Sequence, residues 1–379
     1  MSLAKKIEKT MSGRRQRGVS LIEIMVAVTI GLLAIYAIYI VYGNSEKTKR
    51  NIVSIGEAQI SGLYSVFLMN RKLSSSGGGV LTNAAAALLR NCPAGDGVDG
   101  DAATLLPVPV AIDDDGDDGS GGGRSNSKVF VTYSTSSLYP LPLAANFDGT
   151  DLVINAPLGF RPNSVLYVIG DGGCQAVQVA GVTMGTPELG QATVALGGVD
   201  LSGIGDVRQV VDMGSLERSI ISLRGDVLQI QRWVLVAGSS VFQTDPEGSD
   251  PVASNVMGFY AQYGLDTVGA GAVTQWQDVS TDSSWASGGV VTKTPAQIGQ
   301  IKAIRYGLIV RADEPERDYD RSETVRLFCP SVPPAACPAG AIVRTFNNPD
   351  SKGLGWRYRA YETVVPIRNS IWSPNSNLM

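Results

Sequence analysis

The apolar run from Ile24 to Tyr42 constrains the fold of this 379-residue chain more than any other feature. It follows a basic stretch that ends at Gly18, and Glu23 is the one charged residue between Gly18 and Asn44. About 25 residues at a helical rise of 1.5 Å span roughly 37 Å, which is enough to cross a bilayer. The sequence therefore predicts a membrane-spanning helix over residues 19–43.

The position of Glu23 is unusual for a plain membrane anchor. An ionised residue costs about 2.5 to 3.5 kcal/mol to insert at the middle of a membrane, and such residues usually mark a partner or a pathway. If the chain is cut after Gly18, the new amino group of Val19 lies four residues before Glu23, about one helical turn away. That amine could neutralise the carboxylate of its own or a neighbouring chain, so cleavage would create the counter-ion.

These residues resemble the processing site of the type IV prepilin family, which reads Gly, an apolar residue, three further residues and then Glu. The resemblance implies that prepilin peptidase removes residues 1–18 as a leader, that Val19 becomes N-methylated, and that Glu23 takes part in assembly. Val19 replaces the commoner Phe, and Ile40 stands where many major pilins have a helix-kinking Pro. The second departure argues against a major pilin.

Two alternatives for the same stretch are an ordinary signal anchor and a secretory signal removed by signal peptidase. A secretory signal has an apolar core of about 7 to 15 residues followed by a cleavage site of small residues. The run here is longer, and no such site precedes Asn44. The prepilin interpretation is favoured, and it implies that the apolar helix stays on the mature protein.

Beyond the apolar run, a three- and four-residue spacing predicts that the helix continues as an amphipathic segment over 44–72. We expect one helix from Val19 to about Lys72, ended by the stretch Ser74–Gly79. The second half would pack on a head domain through one face. The residues expected on that face are Ile52, Ile55, Gln59, Ile60, Leu63, Val66 and Phe67, with Ser54, Glu57, Ser61 and Ser65 between them.

The remainder, residues 73–379, is expected to form a β-rich head with long loops. Short β-branched or aromatic runs bounded by Gly, Pro, Asn and Asp predict strands, and since no helix-length crossover lies between them the sheet should be mostly antiparallel. The predicted strands are 128–133, 151–154, 164–169, 176–179, 227–236, 255–266, 301–311 and 358–369. The predicted class is α+β and pilin-like, with possible sub-parts 73–245 and 250–379 on either side of turns at Pro246 and Pro251.

The C-terminal strands extend the resemblance. The segments 262–266, 304–311 and 364–369, which read QYGLD, IRYGLIVR and VVPIRN, are together similar to the PilW family of minor pilins. They are more loosely similar to the J-type pseudopilins of type II secretion. Between residues 75 and 250 the likeness is weak. Arg305, Arg311 and Arg368 lie at expected strand ends, where they could either face a partner subunit or be solvated.

The four cysteines are Cys92, Cys174, Cys329 and Cys337. An even number on the far side of a membrane favours two disulfides. A bridge between Cys329 and Cys337 across a short Pro-rich loop is the simplest pairing, and it leaves Cys92 with Cys174. A zinc site with four cysteine ligands is the alternative, but zinc ribbons bring their ligands in close pairs, which are missing from this sequence.

Aspartates alternate with glycine in the segments 96–101 and 113–119, which raises the question of calcium. Counted as an EF-hand from Asp113, positions 3 and 5 are Asp115 and Asp117, but the glycine is displaced and position 12 is Arg124. The pattern fails as an EF-hand. An irregular calcium site and a solvated acidic loop remain the two interpretations, and no other cofactor is expected.

Composition argues against catalysis and against nucleic-acid binding. The chain has no histidine, no nucleophile-elbow Gly-x-Ser-x-Gly and no phosphate-binding Gly-x-x-x-x-Gly-Lys, so we expect no enzymatic activity. The leader 1–18 carries six basic residues and one acidic residue, so the formal charge of −4 becomes −9 when it is removed. An acidic mature chain is poorly suited to hold nucleic acid directly, and the basic leader indicates the cytoplasmic side.

The family resemblance implies a function. It predicts a minor pilin of the bacterial inner membrane, with a cytoplasmic N-terminus and a periplasmic head, which later joins a cell-surface pilus. It would help to initiate assembly at or near the filament tip, in support of twitching motility, adhesion or DNA uptake. The expected partners are prepilin peptidase, the inner-membrane assembly platform, other minor and major pilins, and membrane lipid before assembly. A type II secretion pseudopilin and a pilus-tip adhesin that binds a surface ligand through residues 80–250 are the alternatives.

Overall fold

The computed structural model describes residues 18–78, 108–114, 126–134, 141–145, 147, 149, 151–155, 160–184, 190–235, 242–290, 293–317, 322–329, 337, 340–346 and 354–367. The chain divides into two compact units, Met1–Val53 and Ser54–Met379.

Helix α1 runs from Leu21 to Ser74, within two residues of the predicted bounds at both ends. It contains no proline, and Glu23 in its first turn and the basic Arg71 and Lys72 in its last turn match the polarity of the helix dipole. Gly77 has a φ of 72°, a conformation that favours glycine and that ends helices. Gly43 and Asn44 have low helix propensity but do not interrupt the helix.

Twenty strands are found in the described part of the chain, and every pairing between them is antiparallel. The first ten are β1 (Val110–Asp114), β2 (Ser127–Ser134), β3 (Leu141–Pro142), β4 (Asp151–Ile154), β5 (Val165–Gly170), β6 (Gly173–Gln178), β7 (Gly181–Met184), β8 (Ala192–Ala195), β9 (Val207–Asp212) and β10 (Leu216–Arg224). The others are β11 (Val227–Leu235), β12 (Phe242–Ala253), β13 (Val256–Leu265), β14 (Gln275–Gln277), β15 (Ile301–Arg311), β16 (Glu316–Arg317), β17 (Glu323–Leu327), β18 (Ile342–Phe346), β19 (Leu354–Gly355) and β20 (Tyr358–Pro366).

Two sheets lie next to the second half of α1. One has the strand order β1-β2-β10-β11-β12, and the other has the order β14-β13-β15-β20. The orders β3-β9-β5-β6 and β4-β8-β7 define two further sheets, and β16-β19 and β17-β18 are short pairs. Short helical turns at Ser202–Ile204, Ser283–Trp285, Ser287–Val290 and Pro295–Ile298 complete the described structure. The predicted α+β architecture with an antiparallel head is confirmed.

Strand β12 corrects the expectation of turns at Pro246 and Pro251. Both prolines lie inside the strand, which forms the edge of its sheet in the described structure and pairs with β11 through two register shifts. An edge position tolerates proline because no ladder hydrogen bond is needed from its nitrogen on the open side. The suggested boundary at 245–250 therefore falls within a continuous strand.

The main apolar core fills the space between residues 54–74 of α1 and these two sheets. Strand β13 shows how alternation divides its side chains, because Phe259 and Tyr263 point into this core while Tyr260 belongs to a second cluster with Ile309 and Leu327. The main core draws on residues before 245 and after 250 alike. Its members from α1 are Ala58, Met69 and Leu73, and those from the sheets include Val110, Ile112, Phe130, Ile221, Val256, Ile304 and Leu308.

Candidate functional site

The N-terminal segment presents the predicted processing residues on the surface. Gly18, Val19 and Ser20 precede the helix and are exposed. The carbonyl of Ser20 accepts a 3.2 Å hydrogen bond from the backbone N–H of Ile24, and Glu23 lies exposed in the first helical turn. The predicted cleavage at Gly18–Val19 and the predicted pairing of Glu23 therefore concern groups that a peptidase or a second chain can reach.

The first half of α1 has the character of a membrane span. The helix is long and apolar enough to cross a bilayer, and its apolar window is not buried against any described residue. Large side chains such as Ile24, Leu33 and Val41 are exposed around the whole circumference. A surface of this kind needs lipid or other helices as its surroundings.

The second half of α1 packs on the head through small residues from Ser54 to Ser65 and through Met69 and Leu73 beyond them, which corrects the predicted face. The buried positions are Ser54, Ala58, Gly62, Ser65, Met69 and Leu73. By contrast, Ile60, Leu63 and Phe67, which hydrophobicity had placed against the head, are more than half exposed. The spacing correctly predicted an amphipathic helix, and Val66 does pack against the core, but most of the predicted face is exposed because the small residues allow the closest approach of the sheets.

The tightest contact involves Gly62. A Cβ atom at this position would lie 2.3 Å from Cε2 of Tyr361, so only glycine fits without displacing the ring. The Tyr361 hydroxyl reaches the carbonyl of Ala58 one turn earlier at 3.4 Å. Strand β20 thus lies directly against the helix at a point where the helix has no side chain.

Two hydroxyl groups form hydrogen bonds between the second half of α1 and the head. The fully buried Tyr306 of β15 has its hydroxyl 3.0 Å from the carbonyl oxygen of Val66 and 3.1 Å from Oδ1 of Asn70. Near the start of this segment, Oγ of Ser54 accepts a 2.9 Å hydrogen bond from the backbone N–H of Glu314. These contacts tie α1 to the strands at the C-terminal end of the chain.

An ionic cluster holds the C-terminal end of α1. The Glu217 carboxylate accepts hydrogen bonds from the ammonium group of Lys72 and from the hydroxyl of Tyr133. Burial acts to raise the pKa of Glu217, but the hydrogen bonds from Lys72 and Tyr133 outweigh it and hold that pKa below its ordinary value. Burial, with the neighbouring carboxylate as a second cause, raises the pKa of Tyr133, so its hydroxyl remains a donor.

Arg305 has an intramolecular role within the head. Its guanidinium group lies 4.6 Å from the ring centres of both Trp276 and Phe328, and its Nε donates a 2.7 Å hydrogen bond to Oε1 of Gln262. Burial lowers the pKa of Arg305, and the nearby carboxylates of Glu362 and Asp278 oppose that shift. The expectation of a strand-end arginine that is solvated or faces a partner is therefore wrong for this residue.

The other two arginines have different outcomes. Arg311 ends β15, lies over the ring of Trp356 at 4.4 Å and donates a 3.0 Å hydrogen bond to Oδ1 of Asn255. It too is engaged within its own chain. Arg368 lies outside the described residues.

One predicted disulfide is present. Cys329 and Cys337 are bonded, with Cα atoms 5.0 Å apart. Cys329 follows Phe328, whose ring lies 4.6 Å from the Arg305 guanidinium group. Gly340, three residues after Cys337, accepts a 2.6 Å hydrogen bond from Gln262 through its carbonyl. Cys174 is buried and disulfide-bonded, while its predicted partner Cys92 lies outside the described residues.

Of the three calcium candidates, Asp113 belongs to the described part of the chain. It lies in strand β1 opposite Lys128, and its carboxylate accepts a 3.0 Å hydrogen bond from the backbone N–H of Asp114. Asp115 and Asp117 lie outside the described residues. Among the residues that the structure describes, no group of three His, Cys, Asp or Glu side chains is arranged to hold a metal ion.

Sequence reasoning missed Gly62, Tyr306 and Tyr361. A signal was available for the first, because glycine in the interior of a helix is costly and is retained where another group approaches closely. The tyrosines gave no such signal, since an aromatic residue in a strand is ordinary.

Comparison with known families agrees with these features. Residues 13–39 match the family model of the prokaryotic N-terminal methylation motif, and residues 230–369 match that of Type IV Pilus-assembly protein W. No curated protein and no solved structure matches the chain. The two family matches confirm the resemblance to PilW-family minor prepilins and support a type IV pilus-related minor pilin. Both families are structural pilus components, and their matches support a membrane-anchored subunit that interacts with other pilus components.

Proposed function

We propose that this chain is a minor pilin that helps to initiate assembly of a type IV pilus, at or near the filament tip, and thereby supports twitching motility, adhesion or DNA uptake. One observation carries the proposal. An N-terminal methylation motif leads directly into a helix whose apolar first half is exposed, and the head that packs on the second half of that helix includes the region matching Type IV Pilus-assembly protein W.

The proposed pathway begins in the inner membrane. The basic leader stays on the cytoplasmic side, the first half of α1 spans the bilayer, and the head lies in the periplasm. Prepilin peptidase cuts between Gly18 and Val19 and methylates the new amino group. The helix then leaves the lipid, with the help of the assembly platform, and packs among the helices of other pilins.

Transfer into a filament exchanges one apolar environment for another, so it adds little hydrophobic free energy. The Glu23 carboxylate, costly in either environment, is proposed to meet an N-terminal amine there. A buried charge pair adds little net stability but is unfavourable in any other register, so this pair would fix how far one helix slides along its neighbour.

The N-terminal peptide provides the decisive measurement. Mass spectrometry of sheared surface filaments should detect a peptide that begins at N-methylated Val19. A processed peptide confined to the cell envelope would instead favour a type II secretion pseudopilin or a subunit that primes assembly and stays behind. An uncut N-terminus in both fractions would refute the prepilin assignment.

Glu23→Ala tests the pairing step. We expect normal cleavage after Gly18 but poor recovery of the subunit in sheared filaments. Glu57→Ala is the matched control, because it removes an exposed glutamate from the same helix outside the apolar first half. Equal recovery of Glu23→Ala and wild type in the filament fraction would remove the pairing argument.

A further inference from the structure

The strands between β2 and β10 form a part of the head that is folded on itself. These are the strands β3 to β9, which lie between residues 141 and 212. Among the described residues, each of them pairs only with other members of the same group. They build the sheets β3-β9-β5-β6 and β4-β8-β7. We call residues 141–213 the insert.

The insert occupies the position of a hairpin loop. Strands β2 and β10 are antiparallel neighbours, and Ser134 at the end of β2 lies opposite Leu216 at the start of β10. A loop of about two to five residues commonly joins two such strands. Here residues 135–215 lie between them. The sheet β1-β2-β10-β11-β12 is therefore continuous across the insert and takes no strand from it.

The insert has an apolar core of its own. Leu166 and Val168 of β5 belong to this core, together with Ile154 of β4 and Val194 of β8, so it fills the space between the two sheets of the insert. Every described residue of this core lies between positions 141 and 213, and the main core takes no described residue from that range. Separate strand pairing and a separate core are the properties of a domain.

The opposite face of β5 joins the insert to the rest of the head. Val165 and Tyr167 form a small apolar cluster with Leu216 of β10 and Leu235 of β11, and Trp233 packs against it. Neither this cluster nor the core of the insert includes a described residue of α1. The insert is thus held on the sheet and takes no part in the packing of the helix.

We propose that the insert is a separate domain that the subunit displays on the filament surface and that processing and assembly do not require. This inference rests on the proposed function, in which pilin helices pack together, and extends it by dividing the head between two roles. The strands whose tyrosines bond to α1, β15 and β20, lie outside the insert. The matched family regions, 13–39 and 230–369, also leave the insert out.

Hydrogen exchange of the full chain in detergent tests whether the insert is separate. Val194 in the insert and Val129 in the main core are both fully buried strand residues. Val194→Ala should accelerate exchange in peptides from 141–213 by at least about tenfold and leave those of β15 unchanged. Val129→Ala should accelerate exchange in the main core and leave the insert unchanged. Equal acceleration in both regions by either variant would overturn the proposal.

A shortened chain tests whether assembly requires the insert. A linker of about four glycine and serine residues replaces residues 135–215, as in an ordinary hairpin. Leu235→Thr accompanies the replacement, together with Leu216→Thr, because threonine places a hydroxyl group on the uncovered sheet face and keeps a β-branched side chain. Cys92→Ser removes the predicted partner of Cys174. The full-length chain with the two threonine substitutions alone is the matched control.

The shortened chain should fold, be cut after Gly18 and be recovered in sheared filaments as its control is, because α1 and the strands that hold it are unchanged. A shortened chain that does not fold would overturn the proposal. So would one that folds but is absent from filaments that contain the control.

An epitope tag tests display on the filament. Gly197 and Gly198 form an exposed turn of the insert, with φ angles of 68° and 84°, and the tag is placed between them. Antibody should bind the tag on intact sheared filaments. Binding only after the filaments are dissociated would place the insert between subunits and overturn the proposal. Absence of the wild-type chain from all pilin assemblies would instead refute the proposed function, and hydrogen exchange would still decide whether the insert is a separate domain.

Discussion

The two faces of the second half of α1 differ in a way that hydrophobicity alone does not predict. The buried face begins with Ser54, Ala58 and Gly62, whereas the exposed face carries Ile60, Leu63 and Phe67. The buried face is selected by shape, because small residues let two sheets approach the helix and bring tyrosine hydroxyls within reach of its backbone. The size of a residue on an amphipathic helix therefore does not by itself identify the face that packs on the chain's own core.

The largest expected difference is between two separate alanine variants, each of which truncates one leucine, on the buried or on the exposed face of the helix. Leu73 is 1% exposed and belongs to the main core, so Leu73→Ala should lower the free energy of unfolding by about 2–5 kcal/mol through lost burial and a new cavity. Leu63→Ala changes the same type of side chain on the exposed face and should alter the free energy of unfolding by less than about 0.5 kcal/mol. Denaturant unfolding of the full chain in detergent, followed by near-UV circular dichroism, measures both. Equal losses would show that the two faces are not distinct.

The two glycines of this segment give the next contrast. Gly56→Ala should stabilise the protein by about 0.5–1 kcal/mol, because alanine favours helix and its methyl group meets nothing within 4 Å. Gly62→Ala gains the same helix propensity but drives a methyl group into the Tyr361 ring, at an overpacking cost of about 1–3 kcal/mol. Thermal unfolding should therefore move in opposite directions for the two variants. A double-mutant cycle with Tyr361→Leu should recover most of the Gly62→Ala loss, and failure to do so would place the clash elsewhere.

A third contrast uses two tyrosines that lie on opposite sides of the helix. Tyr306→Phe removes a hydroxyl that is 3.0 Å from the Val66 carbonyl oxygen and 3.1 Å from Asn70 Oδ1, and it should cost about 1 kcal/mol. Tyr64→Phe removes the same group from an exposed ring and should change nothing measurable. Chemical denaturation of the two variants compares the loss of a hydrogen-bonded hydroxyl group in the core with the loss of a hydroxyl group on an exposed ring. A loss with Tyr64→Phe, and none with Tyr306→Phe, would contradict the described packing.

The elements that the sequence predicted well are those fixed by local pattern. Helix α1 was predicted within two residues at each end, and β15 was predicted at the observed bounds Ile301–Arg311, because both are long and uninterrupted. Strand β10 was not predicted although it forms a hairpin with β11, and its other partner, β2, ends at Ser134, far earlier in the chain. The same non-local dependence hid the true buried face, which is determined by Tyr306 and Tyr361 more than two hundred residues away.

The processing motif was readable for a different reason. Gly18, Val19 and Glu23 lie within six residues, so their relation is given by the order of the chain alone. The interpretation of the arginines depended on which residues surround them in the folded chain. It was wrong for Arg305 because the rings of Trp276 and Phe328, which come from other strands and turns, lie against its guanidinium group. Local chemistry is thus available from sequence, whereas the surroundings of a side chain are not.

The smallest expected effect is a pH dependence at the end of the helix, where adjacent basic residues differ in partner. Lys72 pairs with Glu217, whose pKa is lowered below its ordinary value of about 4.5 in spite of burial, while Arg71 is exposed. A carboxylate with a depressed folded-state pKa contributes stability that is fully present above pH 4.5, and this contribution is lost as the pH falls through the lower folded-state value. Lys72→Gln should cost about 1 kcal/mol or less near neutral pH, and its difference from wild type should shrink as the solution is acidified below pH 4.5. Arg71→Gln, measured in the same series of unfolding curves, should show a smaller difference from wild type with no such narrowing. If the Lys72→Gln difference stayed constant down to low pH, the Glu217 ion pair would not be what holds the end of the helix on the head.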